Sequence, residues 1–185
     1  MRALLAAAVA AAALITVTPA AQARTSACDP GLIPEPNSLI RRLWEYKGGE
    51  NSAYRCPVTK EYGYADKRGS WQVFQYGKIV WSPNVSERML LRVYRQDFGI
   101  SFAWESLKTE RYNVMWKTQN GSWQQWGDIR NLYMRINKSF FLPDGDESRT
   151  ARVHFKVQGC NSGGFLASSK CTAWSYPIAL DWPAS

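Results

Sequence analysis

The stretch from Arg152 to Trp182 constrains this chain more than any other. Val153, Phe155 and Val157 alternate with Arg152, His154, Lys156 and Gln158, the two-residue period of a half-buried strand. After a polar loop with Gly163-Gly164, Trp174, Tyr176, Ile178, Leu180 and Trp182 alternate in the same way. Two such runs predict a long antiparallel hairpin with Trp174 facing the core. Cys160 and Cys171 fall where a disulfide clamps its mouth.

Disulfides require an oxidising compartment, and the start of the chain supplies a route to one. Met1-Arg2 leads into Leu4-Leu5-Ala6-Ala7-Ala8-Val9 and on to Ile15-Thr16-Val17, closing on Ala21-Gln22-Ala23. A cation, an apolar run and small residues at Ala-x-Ala read as a secretory signal peptide over 1–23, with the exported chain starting near Arg24. The apolar run is too short and too alanine-rich for a membrane span, and no later stretch is expected to form one. Four cysteines allow three connectivities, of which sequence proximity favours Cys28–Cys56 and Cys160–Cys171. No Cys-x-x-Cys spacing suggests a metal. The net charge is +8, spread on both sides of Ser86 rather than clustered, which argues against a nucleic-acid surface and fits loose attraction to an anionic envelope.

Residues 24–85 read as a small disulfide-stapled segment. Pro30, Pro34 and Pro36 keep its start irregular, and Asn37 or Ser38 caps a helix. Leu39, Ile40, Leu43 and Trp44 form that helix's apolar stripe, and Gly48-Gly49 ends it. Short strands follow around Tyr62 and Tyr64, Trp71 to Phe74, and Lys78 to Trp81, with Gly77 expected at a tight turn. The order Ile40-x-x-x-Trp44-x-x-x-Gly48-Gly49, Cys56-Pro57-Val58-Thr59 and Phe74-x-x-Gly77-x-Ile79-x-Trp81-Ser82-Pro83 resembles an LGFP repeat over about residues 38–83. The Leu-Gly-x-Pro core of that family is Tyr54-Arg55-Cys56-Pro57 here, and the repeat occurs once. The resemblance implies export, as in actinobacterial proteins, and association with the cell wall or its polysaccharide.

Residues 86–185 read as strand after strand with turns every 8–12 residues, the spacing of an antiparallel β-sandwich. Ile100-x-Phe102-x-Trp104, Tyr112-x-Val114-x-Trp116, Phe155-x-Val157-x-Gly159-Cys160 and Cys171-x-x-Trp174-Ser175 are similar to strands of a fibronectin type III domain in a disulfide-bearing version. Val153 stands where the corner tyrosine is expected. The fold class is thus mainly β: a fibronectin type III-like sandwich preceded by a small α+β LGFP-like segment.

Catalytic chemistry finds little material. His154, the single histidine, alternates with core residues and is expected to face solvent. Glu105, Glu110, Asp128, Asp144, Asp146 and Glu147 are the carboxylates from which a glycoside hydrolase pair would come. Only Asp144-Gly145-Asp146-Glu147 clusters; a turn accounts for it, and it lacks the ligand series of a calcium loop. No phosphate-cradling glycine loop follows a strand, and no cofactor or metal is expected. Nine tryptophans are the unusual feature, since flat aromatic faces stack on sugar rings. Trp104, Trp116 and Trp174 are in register with core positions. The candidate ligand-binding set is Tyr62, Tyr64, Trp71, Trp81, Trp123 and Trp126, with Arg55, Lys60 and Lys67 near the first four in sequence. The expectation is a secreted, non-catalytic module that holds cell-wall polysaccharide or an extracellular protein. A secreted adaptor or inhibitor, or a carboxylate-driven glycan hydrolase, is the alternative.

Overall fold

Ser38 begins the first regular element. Its Oγ accepts from the Ile40 and Arg41 N–H groups at 3.0 and 3.4 Å, satisfying two donors that a helix start leaves open. Helix α1 (Leu39–Tyr46) follows, and the chain leaves it through Gly48 and Gly49, both at positive φ. Ile40, Leu43 and Trp44 are its buried face. The computed structural model describes residues 27–66, 69–142, 150–163 and 169–182. The stretch 1–23 read as a signal peptide, Lys67, the Asp144–Glu147 stretch expected to turn, and Gly164 lie outside the described residues.

The described strands are β1 (Tyr62–Gly63), β2 (Ser70–Phe74), β3 (Gly77–Trp81), β4 (Leu90–Gln96), β5 (Gly99–Trp104), β6 (Arg111–Thr118), β7 (Gln124–Ile129), β8 (Tyr133–Asn137), β9 (Ala151–Asn161), β10 (Lys170–Cys171) and β11 (Ile178–Trp182). They build two antiparallel sheets, one in the order β1-β2-β3-β4-β5-β8, the other β10-β9-β6-β7 with β11 also on β9. Inward residues of both sheets form one core: Leu91, Val93, Ile100, Phe102, Trp104, Val114, Trp116, Phe155, Val157 and Ile178 among them. Phe102 and Phe155 stack across it with centroids 5.1 Å apart.

The first sheet runs without a break across residue 86. β3 and β4 pair from Gly77↔Tyr94 to Trp81↔Leu90. Helix α1 packs on the other face of these strands, and there a second core joins Ile40, Leu43 and Trp44 to Phe74, Ile79 and Leu90. β3 and β4 are therefore buried on both faces, which explains why Leu90-Leu91 and Ile79-Val80 are apolar doublets rather than alternating residues. Cysteine pairing follows sequence proximity: Cys28 joins Cys56 (Cα–Cα 5.2 Å) and Cys160 joins Cys171 (Cα–Cα 4.1 Å).

The closing hairpin differs from expectation in its second arm. Cys171 pairs with Cys160 in β10, the chain then leaves strand geometry, and pairing resumes only at Ile178↔Phe155. In between, the Ser175 N–H donates to Val157 O (2.8 Å) and the Val157 N–H donates to Ser175 Oγ (3.0 Å). A serine side chain thus takes one place in the ladder, and alternation counted from Ile178 does not extend back to Trp174. That residue is half-buried on the outer face beside Lys156 instead of in the core. Gly77 also differs. The turn residues are Gln75 and Tyr76, and Gly77 opens β3, where a Cβ would lie 2.5 Å from Val93 O and 2.9 Å from the Tyr54 ring.

Arg55, read from the sequence as standing where the Leu-Gly-x-Pro core has its glycine, has φ 62°. The left-handed conformation persists with a side chain present because Trp44 Nε1 donates to Arg55 O at 2.9 Å and Cys56 is tethered next door. That conformation costs a non-glycine residue about 1–2 kcal/mol, against about 0.5–1 kcal/mol of extra unfolded-chain entropy for glycine. Arg55→Gly should therefore stabilise the fold by roughly 0.5–1 kcal/mol, read as a rise in denaturation midpoint; a fall would refute the strain. Replacing Cys28 and Cys56 together by serine should cost about 3–4 kcal/mol, since their loop spans 28 residues. Hydrogen exchange should then quicken in Leu39–Tyr46 before it does in β5, and equal protection of both would contradict a separate second core.

Candidate functional site

Beyond α1, the outer face of the first sheet is open, and side-chain size shapes it. Register places Arg92, Ala103 and Tyr133 in one row across β4, β5 and β8, and Tyr94, Ser101 and Arg135 in the next. The middle strand thus presents Ala103 and Ser101 outward while Ile100, Phe102 and Trp104 fill the core. Small residues between two rows of large ones make a trough. Arg42 and Tyr46 of α1, with Lys47 just after it, form its near wall and Tyr133 and Arg135 its far wall, around a volume of about 1050 Å³. Tyr46 is 81% exposed and Tyr133 48% exposed, so both phenol rings are open to a ligand.

The lining is strongly cationic. Arg42, Lys47, Arg88, Arg92 and Arg135 face a single carboxylate, Glu105. Arg92 is buried in the floor, where Nη1 donates to Glu105 Oε1 at 2.8 Å and Nη2 to Trp104 O at 3.2 Å. Glu105 therefore neutralises the floor, and the positive field comes from the four cations around it. The Lys47 ammonium lies 5.2 Å from the Tyr46 centroid, and the Arg135 guanidinium lies 5.5 Å from those of Tyr133 and Phe98. Burial pushes the Tyr54 phenol far above its ordinary value, so it stays neutral.

The six aromatic residues expected to bind do not converge. Tyr62 and Trp71 form one pair, centroids 5.0 Å apart, with the Lys78 ammonium 4.5 Å from Trp71. Tyr64 packs on Tyr176 at 6.3 Å. Trp81 is on the opposite face of the sheet from Trp71, against the second core, with Nε1 donating to Glu87 O at 2.8 Å. Trp126 packs with Trp116 and Phe140 at 6.3 Å from each. Trp123 is far from it in environment, with the Lys156 and Lys117 ammonium groups 4.6 and 5.4 Å from its centroid. Lys156 also lies 5.0 Å from Trp174, so one lysine is held between two tryptophans. The trough residues Arg42, Tyr46, Tyr133 and Arg135 did not emerge from the sequence. Their available signal was weak: Tyr133 and Arg135 alternate with buried Met134 and Ile136, and Gly99, Ser101 and Ala103 alternate with bulky core residues.

Among the described residues no group of three or more His, Cys, Asp or Glu is placed to hold a metal ion. Three of the described carboxylates are held by separate partners. Hydrogen bonding from the Ser162 side chain, and then from the Ser162 N–H (2.8 Å), holds the Glu110 carboxyl below the ordinary range, and Asp128 is 3.5 Å from Arg111. Asp181 takes a two-point bond from Arg152 at 2.7 and 2.8 Å.

Comparison with known families finds an LGFP repeat at residues 56–111. The match runs from Cys56 through β5 to the first residue of β6: it starts later than the expected 38, leaving α1 and Tyr54-Arg55 outside it, ends beyond the expected 83, and includes the β4 and β5 floor of the trough. No curated protein and no solved structure matches the chain. LGFP repeats are often found in exported, cell-surface proteins, and the two disulfides are consistent with that setting.

His154 on the outer face of β9 supplies a pH test. Burial, then Lys117 and Arg152, lower its pKa below the ordinary 6.5. A lowered value means the unfolded chain takes up the proton first, so the stability tied to a neutral His154 is complete above about 6.5 and declines as pH falls through the folded value. His154→Gln should flatten the unfolding midpoint between about pH 7.5 and pH 5. An identical slope in both proteins would assign that pH dependence elsewhere.

Proposed function

We propose that this chain is a secreted, non-catalytic binding module that associates with cell-wall polysaccharide. The observation that carries the reading is the trough, an open surface with exposed tyrosines on two walls, built on the strands of an LGFP repeat. Flat amphipathic rings flanked by polar groups suit sugar, whose ring faces are apolar and whose rims are hydroxyls. The strand order β4-β5-β8 over β7-β6-β9, with β10 and β11 completing the second sheet, supports a fibronectin type III-like sandwich. On this reading the repeat's β2-β3 hairpin widens one sheet of that sandwich and the helix is added outside it. Secretion is supported by the leader-like 1–23 stretch and the disulfides.

A glycan hydrolase is disfavoured because glycoside hydrolysis takes two carboxylates across the bond. The trough offers Glu105 alone, already bonded to Arg92. The test is sedimentation of the purified protein with isolated cell walls. Retention on the wall pellet, with no release of soluble sugar, is expected. A protein left wholly in solution would overturn the reading.

A further inference from the structure

We propose that the trough between α1 and the outer face of β4, β5 and β8 is the binding site, and that its ligand is an acidic polysaccharide bearing carboxylates. The proposal rests on the glycan-binding reading above and adds the place and the chemical class. Three observations carry it. The first is charge: Arg42, Lys47, Arg88 and Arg135 surround a floor where Arg92 and Glu105 cancel, so the lining keeps a positive excess that needs an anion. The second is how that charge is spread. Arg42 and Lys47 lie on or just after α1, Arg88 just before β4 and Arg135 on β8, one or two cations per element. A small phosphate site draws several donors to one point, often backbone N–H groups. Cations set apart on separate elements around an open trough suit a ligand with one negative charge on each successive unit. The third is Tyr46 and Tyr133, exposed on opposite walls, which offer ring faces for stacking that a plain polyanion does not use.

The geometry also separates roles. Tyr46 and Tyr133 would stack on sugar rings, and Arg42, Arg88 and Arg135 would meet carboxylates, Arg135 while lying over the Tyr133 ring. Arg92 positions the floor through Glu105 and Trp104 and is not free to rearrange. Because α1, the repeat and β8 each supply part of the lining, the repeat alone would be an incomplete site.

The test uses the purified, disulfide-bonded chain in calorimetric titration against polygalacturonate, hyaluronan, fully methyl-esterified polygalacturonate, polyglutamate and duplex DNA. Binding to one or both polyuronates is expected, weakened about tenfold or more by methyl esterification and by raising salt from low to high. Arg42→Gln with Arg135→Gln should weaken binding about tenfold and Tyr133→Ala roughly fivefold, with unchanged melting temperatures because all three side chains are exposed. No binding to either polyuronate, or equal binding to the methyl ester, overturns the proposal. Equal or tighter binding to polyglutamate or DNA overturns it too, since the trough would then read charge without sugar. Full affinity in the trough variants would move the site elsewhere. Wall retention that survives Arg42→Gln/Arg135→Gln sinks the trough assignment and leaves wall association standing; polyuronate binding without wall retention does the reverse.

Discussion

The backbone ladder between β3 and β4 is the contact on which the rest of this structure depends. Both strands are buried on both faces, Ile79 and Leu90 beneath α1, Val80, Leu91 and Val93 against the second sheet. Each such side chain contributes on the order of 1.5–3 kcal/mol when fully buried. One pairing therefore holds two cores in register, and a slip by one residue would exchange the faces of every side chain on it. Gly77 shows how close the fit is at one end of the ladder, since no Cβ fits between it and Val93 O.

The trough is a consequence of that arrangement. Helix α1 is too short to stand alone, and it is held by the Ser38 cap, by the core around Trp44 and by the Cys28–Cys56 tether. It covers β2 to β4 and leaves β5 and β8 uncovered. Where it stops, β5 turns only small residues outward, so the surface dips. The cations that rim the dip come from separate stretches of chain, which is why a charge spread evenly in sequence becomes a concentrated field in space. Ser38 and Ser70 also both bond Glu61, tying the helix start to β2 through one carboxylate.

Much of the fold was legible beforehand because it rests on local periodicity. The helix realised as Leu39–Tyr46, with Ser38 one of two caps the sequence offered, the core roles of Phe102, Trp104, Trp116 and Phe155, and both disulfides followed from spacing. Alternation failed where the ladder is interrupted. Ser175 replaces a backbone partner with its own hydroxyl, and Trp174, two strand positions before Tyr176 in the sequence pattern, turns out beside Lys156. The aromatic candidates do not share one face, for a different reason. Trp71 and Trp81 pack toward opposite faces of one sheet, and Trp123, just before β7, lies beside Lys117 and Lys156 while Trp126 packs on Trp116 and Phe140.

By itself, then, the sequence determined which residues are apolar every second or every third to fourth position, where chains turn, and which cysteines are near enough to pair. These are short-range properties, and they specify a mainly β, disulfide-bonded chain with an LGFP-type segment. Only the tertiary structure decided that the segment's strands continue into the sheet of the following residues. It alone brought Arg42 and Tyr46 opposite Tyr133 and Arg135. That juxtaposition joins residues about ninety positions apart across a strand that touches neither in sequence. No period within any one element encodes it.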